Sequence, residues 1–442
     1  MIKKFWFTLI LIHFVALAVV AQPDADKRID ELIGSKDWFS LIDEYPLLKD
    51  SMRQEWLRLE AESYINLYTG DRPKALASIG ELLAKHQGSL GARLLDFVVL
   101  YGQVMYDSGY YSAAADYIQS VAAQFRPWGV ESVNKALSYY EGLYNACRSL
   151  PPVTLSRPAA DTRVRYVLRE LPSQLLWPRA RQPKPDSGRL LTIEVPATLH
   201  GNGVLFSLDT GAEHTFVSKK FAERNGLPLM GDTVRVNASK GLRTFIDSMQ
   251  IGNITVRNLV AYVGTDAGSV YDLLGIDAVL GADFLWAVGE TQLCTADSTL
   301  LFPAHMTPRP ATGINLLSNS LVRVHSGSET MPFLFDTGNA SSNSCYLYRP
   351  YYNAHRALVD SQARVDTLQG GSYGRLGTSV LKVLDGDCAL AIGGRAMQVP
   401  RAVVDSNGSS DRGLCYGNIG MCAVMQSRKI ILNYKNMFIK IE

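Results

Sequence analysis

VLFSLDTG at residues 204–211 and MPFLFDTG at residues 331–338 are the two stretches that decide the fold of this chain. Each is an apolar, strand-like run that ends in the triplet Asp-Thr-Gly. One such triplet of common residues would carry little meaning, because it also occurs by chance. Two copies in the same local setting indicate a duplicated unit, and each unit contributes one carboxylate, Asp209 in the first copy and Asp336 in the second.

The repeat extends beyond the triplets on both sides. A strand-like run and a polar turn precede each copy, at residues 191–203 and 321–329. Further along, Ala278-Val279-Leu280-Gly281 in the first half corresponds to Gly417-Asn418-Ile419-Gly420 in the second, and from these glycines the halves align without a gap. We therefore expect two β-rich lobes, at residues 188–308 and 309–442.

The chain before the lobes has a different pattern. Residues 22–150 predict a helical domain, because their apolar residues recur at helical spacing. Gly70 and Gly109 each stand in a turn before a helix whose early alanine allows close packing, which resembles tetratricopeptide-type helical hairpins; an ordinary α-bundle is the alternative. Either would be a packing or recognition module through which a protein partner could dock. Residues 151–187, rich in Pro and Arg, predict a linker.

The first residues have the pattern of an export signal. Lys3 and Lys4 precede the apolar stretch Phe5–Val20, and Ala21 supplies the small residue for cleavage. We expect a signal peptide at residues 1–21 and an exported protein with no membrane span after its removal. An uncleaved anchor is the alternative, although the stretch is shorter than the roughly 20 residues that cross a bilayer.

Bulk composition excludes several function classes. The 442 residues are too many for one ordinary core, and 47% apolar with 19% charged residues is a globular composition. A formal net charge of +2 indicates neither nucleic acid nor an anionic membrane as a partner. Export would allow the six cysteines to oxidise, and the sequence leaves their pairing open.

At the triplets the chain resembles aspartic peptidases of the retropepsin–pepsin type, over about residues 188–442. The resemblance rests on the two Asp-Thr-Gly motifs and on the later apolar-Gly motifs at Gly281 and Gly420. It implies a multidomain α + all-β protein: a helical hairpin bundle followed by a bilobal acid-protease β-barrel pseudo-dimer, with no obligate dimerisation. Asn339 and Asn418 depart from the family pattern, and both lie in the second half.

The resemblance also implies a site. Asp209 and Asp336 would be the catalytic pair of an endopeptidase that needs no cofactor and no metal. Two carboxyls about 3 Å apart share one proton, so one can deprotonate water while the other protonates the carbonyl oxygen of a peptide. Thr210 and Thr337 would cross-brace the two loops, and Gly211 and Gly338 would allow close approach of backbone to carboxylate. The flap candidates are Ser239, Lys240 and Gly241 in the first half and Gly370, Gly371 and Tyr373 in the second.

Two other interpretations were compared with this one. Gly370–Gly374 also fits the Gly-x-Ser-x-Gly pattern of serine hydrolases, but the last histidine, His355, lies upstream of it, which excludes the usual order. A catalytically inactive binding or scaffold module with the same fold stays open as the alternative function.

Asn339-Ala340-Ser341 matches a glycosylation acceptor beside the second triplet, and a glycan there would crowd a catalytic cleft. An active enzyme therefore implies a non-glycosylating exporter, with a bacterial periplasm or secretion as its destination.

The residue after the first triplet leads to a prediction about pH. Pepsins have a hydroxyl residue there that donates to the carboxylate, and Ala212 has none. Because a donor to the ionised form lowers a pKa, its loss should give a less acidic optimum than that of pepsin. A pH–rate profile of peptide cleavage tests this, and a maximum below about pH 3 would contradict it.

Overall fold

The computed structural model describes residues 24–172, 188–236, 239–264, 272, 274–372 and 375–442. The predicted signal peptide, the second half of the predicted linker and the flap candidate Tyr373 lie outside these residues. Within them the chain forms an N-terminal helical region followed by two β-rich lobes, so the predicted multidomain α + all-β class is confirmed.

The helical region consists of helices that pack largely on their neighbours in sequence. Its helices are α1 (Ala25–Ser35), α2 (Trp38–Leu48), α3 (Glu55–Tyr68), α4 (Arg72–Lys85), α5 (Gln87–Leu90), α6 (Leu94–Asp107), α7 (Tyr111–Phe125) and α8 (Glu131–Asn145). Helix α3 packs on α4, and α7 packs on both α6 and α8. Their apolar faces form a continuous core that includes Leu82, Phe97 and Ile118, all fully buried.

The turn between α3 and α4 shows how the sequence sets these boundaries. Gly70 has a φ of 75°, a left-handed conformation that glycine adopts without strain, and it ends α3. The Asp71 side chain then accepts a hydrogen bond from the Lys74 backbone N–H at 3.3 Å, which caps the start of α4. Pro73 follows in the first turn, where its missing N–H costs nothing.

Three short strands follow the helices, at β1 (Thr154–Ser156), β2 (Thr162–Arg165) and β3 (Val167–Glu170). In this respect the structure differs from the predicted linker at 151–187. Residues 162–165 alternate between buried and exposed, which is the pattern of a half-buried strand, and the high Pro and Arg content of the segment obscured it. Val164 is 6% exposed and belongs to the main β core.

The first lobe is built on a nine-stranded sheet in the order β1-β9-β6-β10-β5-β4-β8-β7, with β3 paired to β4. Its elements are β4 (Leu191–Leu199), β5 (Asn202–Leu208), β6 (Phe216–Ser218), α9 (Lys219–Arg224), β7 (Leu229–Val236), β8 (Ser239–Ile251), β9 (Ile254–Gly264), β10 (Ala278–Leu280) and α10 (Ala282–Val288).

The second lobe repeats this plan in a seven-stranded sheet, with the order β13-β14-β19-β15-β18-β17-β16. Its elements are β13 (Leu321–Ser326), β14 (Glu329–Phe335), β15 (Ser344–Leu347), α11 (Arg349–Ala354), α12 (Arg356–Gln362), β16 (Arg364–Ser372), β17 (Arg375–Ile392), β18 (Arg395–Val404), β19 (Gly417–Ile419) and α13 (Met421–Met425). Strand β13 also pairs with β17, which closes the sheet into a barrel, with β16 outside the ring.

A third sheet joins the two lobes. It has the order β2-β12-β11-β20-β21, where β11 (Glu290–Cys294) and β12 (Thr299–Phe302) come from the first half and β20 (Lys429–Asn433) and β21 (Phe438–Ile441) from the second. Strands β11 and β20 pair antiparallel, so the equivalent hairpins of the repeat lie side by side. Strand β2 adds the chain that follows the helical region to the same sheet.

The helical region packs on both lobes. On the second lobe, the Ser318 N–H donates to the Tyr68 carbonyl at 2.9 Å, and the Trp38 indole N–H donates to the Arg412 carbonyl at 3.1 Å. On the first lobe, the buried Arg243 guanidinium of β8 donates to the Leu143 carbonyl of α8. The helical region is therefore attached to each lobe by side chains as well as by the chain itself.

Two negative observations apply to the part of the chain that the structure describes. All six cysteines lie within it, and none of them forms a disulfide. None of its helices combines the length and the apolar character that crossing a bilayer requires.

Candidate active site

The two Asp-Thr-Gly triplets meet where the lobes face each other. In each lobe the strand before the triplet runs parallel to the strand of the later apolar-Gly motif: β5 pairs with β10, and β14 pairs with β19. The Asp209 N–H donates to the Leu280 carbonyl at 3.1 Å, and the Asp336 N–H donates to the Ile419 carbonyl at 2.9 Å. The sequence repeat therefore corresponds to a repeat in space that holds both aspartates.

Thr210 and Thr337 form a reciprocal set of hydrogen bonds across the lobe junction. The Thr210 hydroxyl donates to the Phe335 carbonyl at 2.6 Å and accepts from the Thr337 N–H at 3.0 Å. The Thr337 hydroxyl donates to the Leu208 carbonyl at 2.7 Å and accepts from the Thr210 N–H at 3.1 Å. Both threonines are almost completely buried, so these groups have no water to replace a lost partner.

Gly211 and Gly338 lie against the carboxyl group of the opposite lobe. A Cβ atom added to Gly211 would overlap the Asp336 carboxyl group, and one added to Gly338 would overlap that of Asp209. Any larger residue at either position would therefore push the two carboxyl groups apart.

The carboxyl groups of Asp209 and Asp336 lie close together, because each of them is held against the glycine of the opposite triplet. Asp209 Oδ1 accepts from the N–H groups of Gly211 at 2.8 Å and Ala212 at 2.9 Å. Burial raises the pKa of Asp209 to about 8, and the neighbouring Asp336 carboxylate adds to the shift. At neutral pH the pair therefore retains a proton that an exposed aspartate would have lost.

Asp336 has a different set of donors. Its Oδ1 accepts from the Gly338 N–H at 2.8 Å, and its Oδ2 accepts from the Asn418 side-chain amide at 2.6 Å. Asn339 in turn donates from its side-chain amide to Asn418 Oδ1 at 3.1 Å. The two departures from the family pattern are thus joined to one another and to Asp336, a contact that the sequence analysis missed. The available signal was the Asn at the position where the first half has Val279.

Asp283 and His214, which lie close to the first-half motifs in the sequence, have structural partners. The Asp283 carboxylate accepts from the Thr215 N–H and hydroxyl, both at 2.8 Å, and so fixes the loop after the first triplet. His214 packs its ring against Tyr262. Neither contact involves Asp209 or Asp336.

A cavity of about 500 Å³ opens above the aspartates. Its floor includes Asp209, Asp336 and both triplet glycines, and Arg412 lies at its edge, where its guanidinium donates to the Gly211 carbonyl. The helical region supplies one wall through α6 and α8; the residues are Gln103, Tyr106, Asp107, Tyr139, Tyr140, Leu143 and Tyr144.

The flap candidates lie on two β-hairpins. Ser239, Lys240 and Gly241 begin β8, which pairs antiparallel with β7, and Gly370 and Gly371 lie near the end of β16, which pairs antiparallel with β17. No described residue of these hairpins lines the cavity. Their assignment as flaps stays a prediction.

Part of the first lobe is similar to a known family. Residues 195–284, from β4 to α10, match the family model described as aspartyl protease. No curated protein matches the sequence. This match and the hydrogen bonds that join the two triplets support the retropepsin- and pepsin-like aspartic peptidase fold that the sequence predicts.

Two solved structures are among those similar to this chain. The crystal structure of a retropepsin-like aspartic protease from Rickettsia conorii is 16% identical, with a TM-score of 0.21, and the match covers 34% of this chain and 91% of that one. The crystal structure of an aspartic proteinase from Irpex lacteus is 12% identical, with a TM-score of 0.38, and the match covers 64% of this chain and 97% of that one.

The hydroxyl of Thr210 should stabilise the lobe junction measurably. Thr210→Val leaves the Phe335 carbonyl and the Thr337 N–H without their partner, and each buried unpaired group costs about 1–3 kcal/mol. We expect the free energy of unfolding, measured by urea titration, to fall by about 2–4 kcal/mol. Thr210→Ser retains the hydroxyl and should lose much less. Equal losses in both variants would contradict the role of the hydrogen bonds.

Proposed function

We propose that this chain is an exported aspartic endopeptidase that hydrolyses peptide bonds with water activated between Asp209 and Asp336. One observation carries the proposal: the two carboxyl groups, each from a separate lobe, lie against each other's triplets and line the same cavity. The proposed chemistry needs neither a metal nor an organic cofactor, because the pair itself supplies both a base and an acid.

The electrostatics of the pair support this chemistry. Two negative charges about 3 Å apart would repel by about 5 kcal/mol at an effective dielectric constant of about 20. The pair therefore keeps one proton over a wide pH range. Its ionised member can take a proton from water while its protonated member donates to the carbonyl oxygen of the substrate, and a water held by both attacks the carbonyl carbon.

Removing either carboxyl group should abolish cleavage. Asp209→Asn and Asp336→Asn each leave one member without its partner, so acid and base can no longer act together. We expect kcat/KM for a cleaved peptide to fall by roughly 10² to 10⁴-fold or more in each variant. If the chain is instead an inactive binding or scaffold module, the unchanged protein cleaves no peptide, and both variants still bind the protein partner.

Thermal unfolding at several pH values tests the raised pKa of Asp209 independently of catalysis. Asp209 has a folded-state pKa of about 8 and an ordinary unfolded-state value of about 3.9, so its contribution to stability is complete below about pH 4 and is lost as the pH rises to about 8. Asparagine does not titrate. The stability of Asp209→Asn relative to the unchanged protein should therefore increase from about pH 4 to about pH 8. A difference in stability between the two proteins that did not change with pH would contradict the raised pKa of Asp209.

Export to a bacterial periplasm or to the medium is part of the proposal. It rests on the sequence of residues 1–21 and on the acceptor pattern at Asn339, next to the Gly338 N–H that binds Asp336. A glycan on Asn339 would lie beside the reacting groups, so a host that does not glycosylate this sequence fits an active enzyme better.

We further propose that the helical region takes part in substrate binding. Helices α6 and α8 present several tyrosines to the cavity that contains the aspartates. The Tyr144 side chain is fully buried, and its hydroxyl has no hydrogen-bond partner among the described residues. A wall of aromatic rings with a free hydroxyl suits a peptide segment that carries a large apolar side chain and an exposed backbone carbonyl.

Tyr140 is the residue that tests this wall, because it is half-buried and packs on Tyr144. Tyr140→Ala should lower kcat/KM for peptides with a large apolar side chain by about tenfold, mainly through KM, which corresponds to about 1.4 kcal/mol of contact. Tyr110→Ala is the matched control, since Tyr110 is 56% exposed and does not line the cavity. If Tyr140→Ala and the unchanged protein had equal kinetics, the helical wall would not take part in substrate binding.

A further inference from the structure

We infer that Asn418, oriented by Asn339, fixes which aspartate is ionised: Asp336 holds the negative charge and Asp209 holds the shared proton. Asp336 is then the general base and Asp209 the general acid. The inference rests on the proposed peptidase function and deepens it. It makes Asn418 a positioning residue that acts on the reaction through Asp336.

The orientation of the two amides follows from one acceptor that cannot change role. The Asn418 backbone carbonyl lies 3.4 Å from the Asn339 side-chain nitrogen, and a carbonyl only accepts. Asn339 therefore directs its NH₂ group toward Asn418, where that group also donates to Oδ1 at 3.1 Å. Because Asn418 Oδ1 is the acceptor of this bond, its own NH₂ group must face Asp336 Oδ2, at 2.6 Å.

An N–H group that faces Oδ2 selects the charge state of Asp336. A carboxylate accepts this hydrogen bond more strongly than a neutral carboxylic acid does, so the donor stabilises the ionised form. The Gly338 N–H acts in the same direction on Oδ1. Both oxygens of Asp336 therefore have a donor that favours the ionised form.

The first lobe has no equivalent device at Asp209. Val279 occupies the position of Asn418, since Val279 pairs with Ser207 as Asn418 pairs with Leu334 in the second lobe. Ala212 occupies the position of Asn339. The two backbone donors to Asp209 both bind Oδ1, so Oδ2 is the oxygen available to carry the shared proton. The proton of the pair consequently resides on Asp209.

The other titratable groups near the pair do not reverse this assignment. Tyr348, in the segment before α11, hydrogen-bonds to Asn418, and burial raises the pKa of its phenol, so it stays neutral. Arg412 and Asp411, from the loop before β19, line the same cavity, and the Arg412 guanidinium is bound to the carbonyls of Gly211 and Asn319. Glu213, on the first-lobe side, lies 3.9 Å from Arg412.

The proposed steps balance as an ordinary hydrolysis. Asp336 takes a proton from water as the water oxygen bonds to the carbonyl carbon, and Asp209 gives its proton to the carbonyl oxygen. When the C–N bond breaks, the proton on Asp336 passes to the leaving nitrogen and the hydroxyl proton returns to Asp209. The pair regains its starting state without any other reactant.

The pH–rate profile of Asn418→Val tests the inference, because this change gives the second lobe the residue of the first. Loss of the donor should disfavour the ionised state of the pair, so the acidic limb of kcat/KM should move up by about one pH unit or more, as expected for a hydrogen bond to a charged group. Asn339→Ala should shift the limb in the same direction by less. If Asn418→Val lowered kcat/KM equally at every pH and left both limbs of the pH–rate profile unmoved, the role of Asn418 would be merely structural, and the inference would be overturned.

A second measurement does not depend on cleavage. In ¹³C NMR spectra of the full chain with labelled aspartate, the carboxyl signals of the pair can be assigned from Asp209→Asn and Asp336→Asn. At neutral pH the Asp336 signal should be that of a carboxylate and the Asp209 signal that of a carboxylic acid, and Asn418→Val should reduce the difference between the two signals. The reverse assignment would overturn the inference even in an active enzyme. The expected assignment in a chain that cleaves no peptide would reject the peptidase function and leave the charge assignment standing.

Discussion

Two buried threonine hydroxyls hold the two lobes in a fixed relation, and the candidate active site depends on that relation. Each hydroxyl bonds to the backbone on the far side of the junction, so neither loop can move without leaving buried polar groups unpaired. The triplet glycines then let the opposite carboxyl groups come into contact. Burial and mutual repulsion raise the pKa of Asp209 and keep one proton in the pair.

Much of this arrangement was predictable from the repeat, because repeated sequence implies repeated pairing. Two apolar runs into Asp-Thr-Gly, each with a later apolar-Gly motif, predicted the lobes and the meeting of the triplets. The strands at residues 154–170 were not predicted, because their few buried side chains lie in a segment rich in Pro and Arg. The Asn418 contact was also missed: the sequence shows a departure from a pattern, and only coordinates show which atom it faces.

The two lobes have kept a common backbone and differ in the side chains around the carboxyl groups. The hydrogen bonds of the threonines and the pairings of the strands are equivalent in both halves. The donors to the aspartates are not, since the Asn418 amide contacts Asp336 and the first lobe has Val279, which has no donor, at the equivalent position. A catalytic pair must divide two roles between chemically identical groups, and unequal surroundings are the physical means of doing so.

The strands that follow the helices affect what a cut in the chain would do. Strands β1, β2 and β3 all lie before residue 173, and they pair with β9, β12 and β4 of the β-rich part. Scission anywhere between residues 173 and 187 would leave these three strands on the amino-terminal fragment. The products would then remain together as a two-chain molecule, held by backbone ladders and by the helical packing on both lobes. A single cut at that place would therefore not release the helical region as a pro-segment.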